Sequence, residues 1–141
     1  MEWRRNEFVI TDERAKVDVE TVARLLSGTH WGYRRPRHVV EKLIDHSLCF
    51  SLFRNASQLG FARVVTDHTV FSWLFDLVIA PEIRGQGLGR WLLQCILHHP
   101  AISGTQFVLQ TREAHRLYEN LGFQKSDKLM TRPSANPAPP E

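Results

Sequence analysis

Val78-Ile79-Ala80-Pro81-Glu82-Ile83-Arg84-Gly85-Gln86-Gly87-Leu88-Gly89 runs an apolar strand through a proline into a glycine-rich turn and then into an amphipathic helix. Glycine lacks a Cβ, so backbone N–H groups around Gly85, Gly87 and Gly89 can converge on one anion, with the positive end of a helix dipole behind them. Arg84 and Arg90 add fixed charge at the same mouth. The turn reads as a diphosphate cradle, with a plain helix-capping turn as the alternative. Gly-Lys-Ser/Thr is absent, which excludes a P-loop, and Gly-x-Gly-x-Gly is not the dinucleotide spacing Gly-x-Gly-x-x-Gly.

Outward from this turn, hydrophobic periodicity and punctuation place the other elements. Val70 to Ala80 is nearly all apolar, as expected of a central strand covered on both faces. The helix after the turn is expected over Gly87 to His99, with Leu88, Trp91, Leu92, Cys95 and Ile96 on one face and Pro100 as its stop. Toward the amino terminus, Phe8 to Thr11 is a short strand. Asp18 caps a helix over Val19 to Ser27 that Gly28 ends, and Pro36 opens a second helix with a Val39, Val40, Leu43 and Ile44 stripe. Leu48 to Arg54 and Gly60 to Thr66 form a hairpin about Asn55 to Gln58. Beyond the central helix, Phe107 to Gln110 is a strand, about Glu113 to Leu121 a helix capped by Gly122, and Phe123 to Lys125 with Lys128 to Thr131 a closing hairpin. This order predicts an α/β fold, a mixed sheet with about four helices on its two faces.

The 141 residues suit a single domain over residues 1–133, followed by a proline-rich tail, 134–141, expected to be disordered. The net charge of +3 comes from scattered basic residues, which suits an acidic small ligand better than nucleic acid. Cys49 and Cys95 have no metal-type spacing and read as buried thiols in a reducing compartment; no metal is expected. Neither a signal peptide nor a bilayer-length apolar stretch is present, so a cytoplasmic protein without membrane association is expected.

A second segment, Ala114-His115-Arg116-Leu117-Tyr118-Glu119-Asn120-Leu121-Gly122-Phe123, follows the turn by about 30 residues. Together, Arg-Gly-Gln-Gly-Leu-Gly and the helix carrying Tyr118 and ending in Leu-Gly-Phe resemble the two signatures of the GNAT N-acyltransferase superfamily, in a small single-domain form of bacterial type. The resemblance spans roughly Asn6 to Thr131, although only these two segments are specific. It implies the GNAT fold, with acetyl-CoA as acyl donor and its pantetheine in a gap between Val70–Ala80 and Phe107–Gln110, opened by a bulge in the former. Leu77, Val78 and Ile79 would then offer backbone groups to the pantetheine and thioester. Gln86, Leu88 and Arg90 would add N–H donors to the glycine cradle, and Arg84 would meet phosphate or face solvent. Where the family often has Asn, seven residues before Tyr118, this chain has Thr111, whose hydroxyl can still bond the cofactor.

Acetyl transfer to an amine needs a neutral nitrogen and a protonated leaving thiol, whose ordinary pKa values are about 10.4 and about 8.5. The resemblance puts Tyr118 at the general-acid position, and a phenol of pKa about 10 can donate; the alternative is that Tyr118 only packs and bonds the cofactor. Asp76 is the one carboxylate within an apolar strand and reads either as a desolvated general base or as a structural ion pair with Arg63 or Arg112. His115 and Glu82 are weaker base candidates. Trp31, Tyr33, Trp73 and Phe75 would wall an acceptor pocket, with Arg34 or Arg35 available to a carboxylate; the same loop would equally serve as an oligomer contact.

The leading expectation is an N-acetyltransferase acting on a small-molecule primary amine by direct transfer in a ternary complex. Its alternatives are a non-catalytic acetyl-CoA-binding regulatory module and an acetyltransferase for protein N-termini or lysines. Many superfamily members are dimers, so a homodimer is compatible with the sequence, which specifies no interface.

Overall fold

The computed structural model describes residues 1–32 and 35–134. Tyr33, Arg34 and nearly all of the proline-rich tail lie outside the described residues. Six strands form one sheet in chain order: β1 (Glu2–Arg5), β2 (Phe8–Thr11), β3 (Leu48–Arg54), β4 (Ser57–Thr66), β5 (Phe71–Ile79) and β6 (Gln106–Val108). Neighbours are antiparallel except β5 and β6, which are parallel. Among the described residues four α-helices accompany them: α1 (Val19–Ser27), α2 (Arg37–Asp45), α3 (Leu88–Leu97) and α4 (His115–Glu119). The mixed sheet with helices on both faces is therefore the one expected.

Local chemistry accounts for the helices. Asp18 accepts a hydrogen bond from the Thr21 N–H at 3.2 Å, satisfying an orphan donor at the start of α1. Val22 and Leu26 of α1 meet Val40 and Ile44 of α2 in a core that also takes Phe61 and Val78 from the sheet. Each such side chain contributes about 1.5–3 kcal/mol on burial. Leu88, Trp91, Leu92, Leu93, Cys95 and Ile96 of α3 pack on the opposite face, against Phe50, Leu52, Ala62 and Leu74. The α3 helix stops at Leu97, two residues short of the expected end, because a residue preceding proline, here His99, is disfavoured in the helical region.

Other boundaries differ where long-range pairing decides. β1 was not expected: Glu2-Trp3-Arg4-Arg5 lacks an apolar alternation, and it pairs with β2 as a polar edge strand whose Trp3 ring meets Phe50 at 6.1 Å. The β3–β4 turn is tighter than expected, with β4 starting at Ser57. β6 ends at Val108, so Leu109 and Gln110 leave the sheet, and α4 is shorter at both ends. The expected closing hairpin is absent among the described residues: Gln124 to Thr131 is exposed and irregular, with no apolar face to bring to the β6 edge. Among the described residues no helix is long and apolar enough to cross a membrane.

The central irregularity lies in β5. Phe61 pairs with Val78 and Arg63 with Phe75, so the single residue Ala62 faces both Asp76 and Leu77. Asp76 has φ of 57°, in the left-handed region, and is the extra residue of a bulge. Leu74 belongs to the core under α3 and Val78 to the core under α1 and α2. Two even-numbered residues of one strand thus serve opposite faces, as one inserted residue requires. Beyond Trp73 and Val108 the β5–β6 pairing ceases, and the strands part.

Candidate active site

The parted strands leave a cleft. Its inner part, about 210 Å³, is lined by Phe75, Asp76 and Leu77 of β5, by Leu109, Gln110 and Thr111 beyond β6, and by Tyr118 of α4. Its outer part, about 550 Å³, reaches Ile79, Arg84, Gly85, Gly87 and Gly89. His30, Trp31, Leu77, Glu113, Ala114 and Leu117 wall both parts, so one groove runs from the glycine turn to Tyr118. The half-buried Phe75, Leu77 and Ile79 explain the apolar character of β5: Phe75 before the bulge and Leu77 and Ile79 after it wall this groove where a covered strand would bury them.

At the outer end, Gly85 and Gly87 have φ of 83° and 80°, conformations that other residues adopt only with strain, and a Cβ at either would meet nothing within 4 Å. The crowding that fixes many glycines is absent, so it is the turn's shape that selects them. Gly87 caps α3 with no side-chain hydrogen bond, and the first intrahelical bond runs from the Trp91 N–H to the Gly87 carbonyl. The preceding N–H groups of Leu88, Gly89 and Arg90 therefore point out of the helix with no acidic side chain in its first turn. Arg90 is exposed beside them. Arg84 is exposed, as one alternative had it, and its Nε donates to the Ile79 carbonyl at 2.9 Å, occupying one acceptor site of the strand expected to hold pantetheine. Gln86 folds back likewise, its Nε2 donating to the Ile83 carbonyl at 3.1 Å.

Along the groove, Leu77 and Ile79 lie beyond the last β5–β6 pair, and Val78 is buried and faces Phe61 of β4. Unpaired backbone of this kind is an obligatory hydrogen-bonding surface. Thr111 lies in the turn before α4, its Oγ1 accepting from the N–H of Ala114, the residue that precedes the helix, at 3.1 Å. Tyr118 is half-buried, with Phe123 edge-on at 5.7 Å. The helix end that carries it is a Schellman closure: Phe123 N–H bonds the Tyr118 carbonyl and Gly122 N–H the Glu119 carbonyl, with Gly122 at φ 96°.

Asp76 corrects one expectation. The free, desolvated carboxylate is not found: Oδ2 accepts from Arg63 Nε at 2.6 Å and Oδ1 from Arg35 Nη1 at 2.7 Å. The ion-pair reading holds with Arg63, while Arg112 is not the second partner. Arg35, expected to be available to an acceptor carboxylate, is engaged here. Trp31 and Phe75 do wall the groove. Trp73 is not part of the wall and supports it by stacking on Phe75 at 5.6 Å. Tyr33 and Arg34 lie outside the described residues. His30, Gln110, Glu113 and Leu117 enter the wall without having been singled out, because their approach depends on the parting of β5 and β6, which no local pattern encodes. Burial pushes the Cys49 and Cys95 thiols up to about 11, and neither lines the groove.

Comparison with known proteins points the same way. The family model described as an acetyltransferase (GNAT) domain matches residues 45–125. A provisionally named acetyltransferase of Gibberella zeae is 27% identical over 86% of this chain and 82% of its own length. An uncharacterized N-acetyltransferase, ycf52, of Gracilaria tenuistipitata is 30% identical over 76% of this chain, which spans 62% of that longer protein. Among solved structures, a protein of Xanthomonas campestris assigned to the GNAT family superposes with a TM-score of 0.84 at 35% identity, covering 89% of this chain and 92% of that one. Aminoglycoside N-acetyltransferase AAC(6')-Iy, solved with CoA, shares the fold at a TM-score of 0.70 and 15% identity, over 92% and 95% of the two chains.

Proposed function

The chain belongs to the GNAT acetyltransferase family, and from that premise we propose that it moves an acetyl group from acetyl-CoA to the primary amine of a small molecule, by direct transfer in a ternary complex. The observation that carries this reading is the continuous groove joining an uncapped, glycine-turned helix end to Tyr118 past unpaired β5 backbone. Acetyl-CoA fits these residues. Its diphosphate suits the outward N–H groups at the start of α3, and its pantetheine amides suit strand backbone that has lost its neighbour.

When bound, acetyl-CoA supplies a thioester already activated for acyl transfer. The chain's own residues would do the rest. Gly85 and Gly87 shape the cradle, and the N–H groups of Leu88, Gly89 and Arg90 hold the anion there. Backbone of Leu77, Val78 and Ile79 would orient the acyl arm, and an N–H of that stretch would meet charge developing on the carbonyl oxygen. Tyr118 would supply a phenolic proton to the leaving thiol, and the proton lost by the amine nitrogen would pass to water. Thr111, already accepting from Ala114, keeps its own hydroxyl hydrogen for the cofactor. Trp31 and Phe75 bound the acceptor side, which favours an amine with an apolar or aromatic part. Buried thiols away from the groove favour direct transfer over a covalent acetyl-enzyme.

The test is coenzyme A release from acetyl-CoA with and without a panel of small amines, amino acids and peptides. Amine-dependent release that collapses in Tyr118→Phe supports the reading. Tight acetyl-CoA binding with no turnover on any amine would favour a regulatory module, and selective turnover of peptides would make the acceptor a protein.

A further inference from the structure

Asp76 joins three parts of the chain. Its side chain is fully enclosed, and its two oxygens bind Arg63 of β4 and Arg35 of the α1–α2 connection. Arg63 is held in turn: its Nη1 donates to Ser47 Oγ at 3.2 Å, and its guanidinium lies 4.6 Å over the Phe75 ring. Among the described residues, Arg35 is held through Asp76 and one backbone bond, its N–H to the Gly32 carbonyl at 3.2 Å. At the other end of the same connection, Thr29 Oγ1 donates to the Leu26 carbonyl at 2.6 Å and accepts from the Gly32 N–H at 3.0 Å. A Cβ on Gly32 would stand 2.8 Å from the Leu26 carbonyl oxygen, so backbone passes close to backbone there. His30 and Trp31, edge to face at 5.1 Å, sit between these anchors and wall both parts of the groove.

The residue type fits both duties. A left-handed φ is tolerated by Asp and Asn better than by most side chains. Of the two, only the carboxylate can accept charge-assisted bonds from two guanidiniums at once. We propose that Arg35, Asp76 and Arg63 form a latch that ties the connection carrying His30 and Trp31 to the β5 bulge, so that Asp76 is a positioning residue for the acceptor-side wall and does not itself take the amine proton. This rests on the acetyltransferase reading only for what the wall encloses; the latch is a property of the chain alone.

Hydrogen exchange over residues 28–32 tests it in the wild type, Arg35→Met, Arg35→Lys and Asp76→Asn. Arg35→Met leaves the buried Asp76–Arg63 pair whole, so it folds even if Asp76→Asn does not. Exchange in Arg35→Met is expected to quicken about tenfold or more, the scale of one charge-assisted hydrogen bond. Arg35→Lys restores much of the protection, which a general loss of packing would not allow. Acetyl-CoA titrated into Arg35→Met still binds, because the glycine turn and the open β5 edge are untouched. Exchange that stays at the wild-type rate in Arg35→Met overturns the latch, as does a loss in Arg35→Met that Arg35→Lys fails to restore. A wild-type protein that binds no acetyl-CoA would instead defeat the functional reading and leave the exchange result standing.

Discussion

Replacing Gly89 with alanine separates the two reasons for which a glycine can sit at the start of α3. Gly89 lies inside the helix and is not among the positive-φ glycines, and a Cβ there would come no nearer to a neighbour than 3.7 Å, at Ile79 Cγ1. The fold accepts the methyl group without strain. Because alanine loses less backbone freedom on folding than glycine, the variant gains about 0.5–1 kcal/mol. With an unfolding entropy of about 2.1 cal/mol/K per residue, this raises Tm by about 2–3 °C for a chain of this length. The same methyl group stands beside the outward N–H groups of Leu88 and Arg90. If the diphosphate docks on them, the variant loses at least one charge-assisted hydrogen bond of about 1.5–3 kcal/mol, and the acetyl-CoA Kd rises about 10–100-fold. Scanning calorimetry and isothermal titration read the two effects separately. Gly87→Ala is the contrast: at φ 80° it loses about 1–2 kcal/mol of stability as well as affinity. Gly89→Ala that is more stable and binds acetyl-CoA as well as the wild type would refute the cradle; a less stable variant would refute the helix argument.

Tyr118→Phe is expected to lower kcat with amines by about 10²–10⁴-fold while acetyl-CoA affinity holds; a fall of less than about tenfold in steady-state turnover would reduce the hydroxyl to a packing role. Asp76→Asn strands the buried Arg63 and the half-buried Arg35 and should destabilise the fold by about 3–5 kcal/mol in urea unfolding, yet leave the shape of the pH–rate profile unchanged. A vanished ascending limb would make Asp76 the base after all. Alkaline pH should also weaken the fold. Burial holds the Cys49 and Cys95 thiols protonated up to about 11, whereas the unfolded chain releases those protons from about 9.0. The unfolded state then binds fewer protons, so stability falls as pH rises through that window. Thermal scans of a Cys49→Ala, Cys95→Ala variant should show a shallower alkaline decline.

What was legible in the sequence is what local chemistry decides. The α1 helix was read to its ends because Asp18 supplies a cap and Gly28 a stop. The glycine turn, α3 and the Gly122 closure were legible for the same reason. β1 was not, since its pairing partner, and not its own polar pattern, makes it a strand. The apolar run Phe107 to Leu109 announced a strand, but only the register against β5 ends it at Val108, and that ending opens the groove. Asp76 was legible as an anomaly, a charge in an apolar strand. Its second partner lies 41 residues earlier, across a connection whose approach to β5 depends on the packing of α1 and α2. Arg63 lies only 13 residues earlier and was within reach of a pattern search, whereas Arg112, 36 residues later, and Arg35 are almost equally distant, and separation along the chain does not choose between them.

The faces of β5 carry an implication for how such a cleft can arise. With Asp76 removed, Leu74, Phe75, Leu77, Val78 and Ile79 alternate regularly, and Leu74, Leu77, Val78 and Ile79 keep the cores they already serve. Leu77 would simply stand opposite Ala62, and β5 would become an unbroken strand. The groove is thus equivalent to a single-codon insertion into a regular sheet, one that both cores accept because the added residue points its side chain into neither. Its cost falls on Arg63 and Arg35, which the insertion obliges the chain to keep, so the three positions should be gained and lost together.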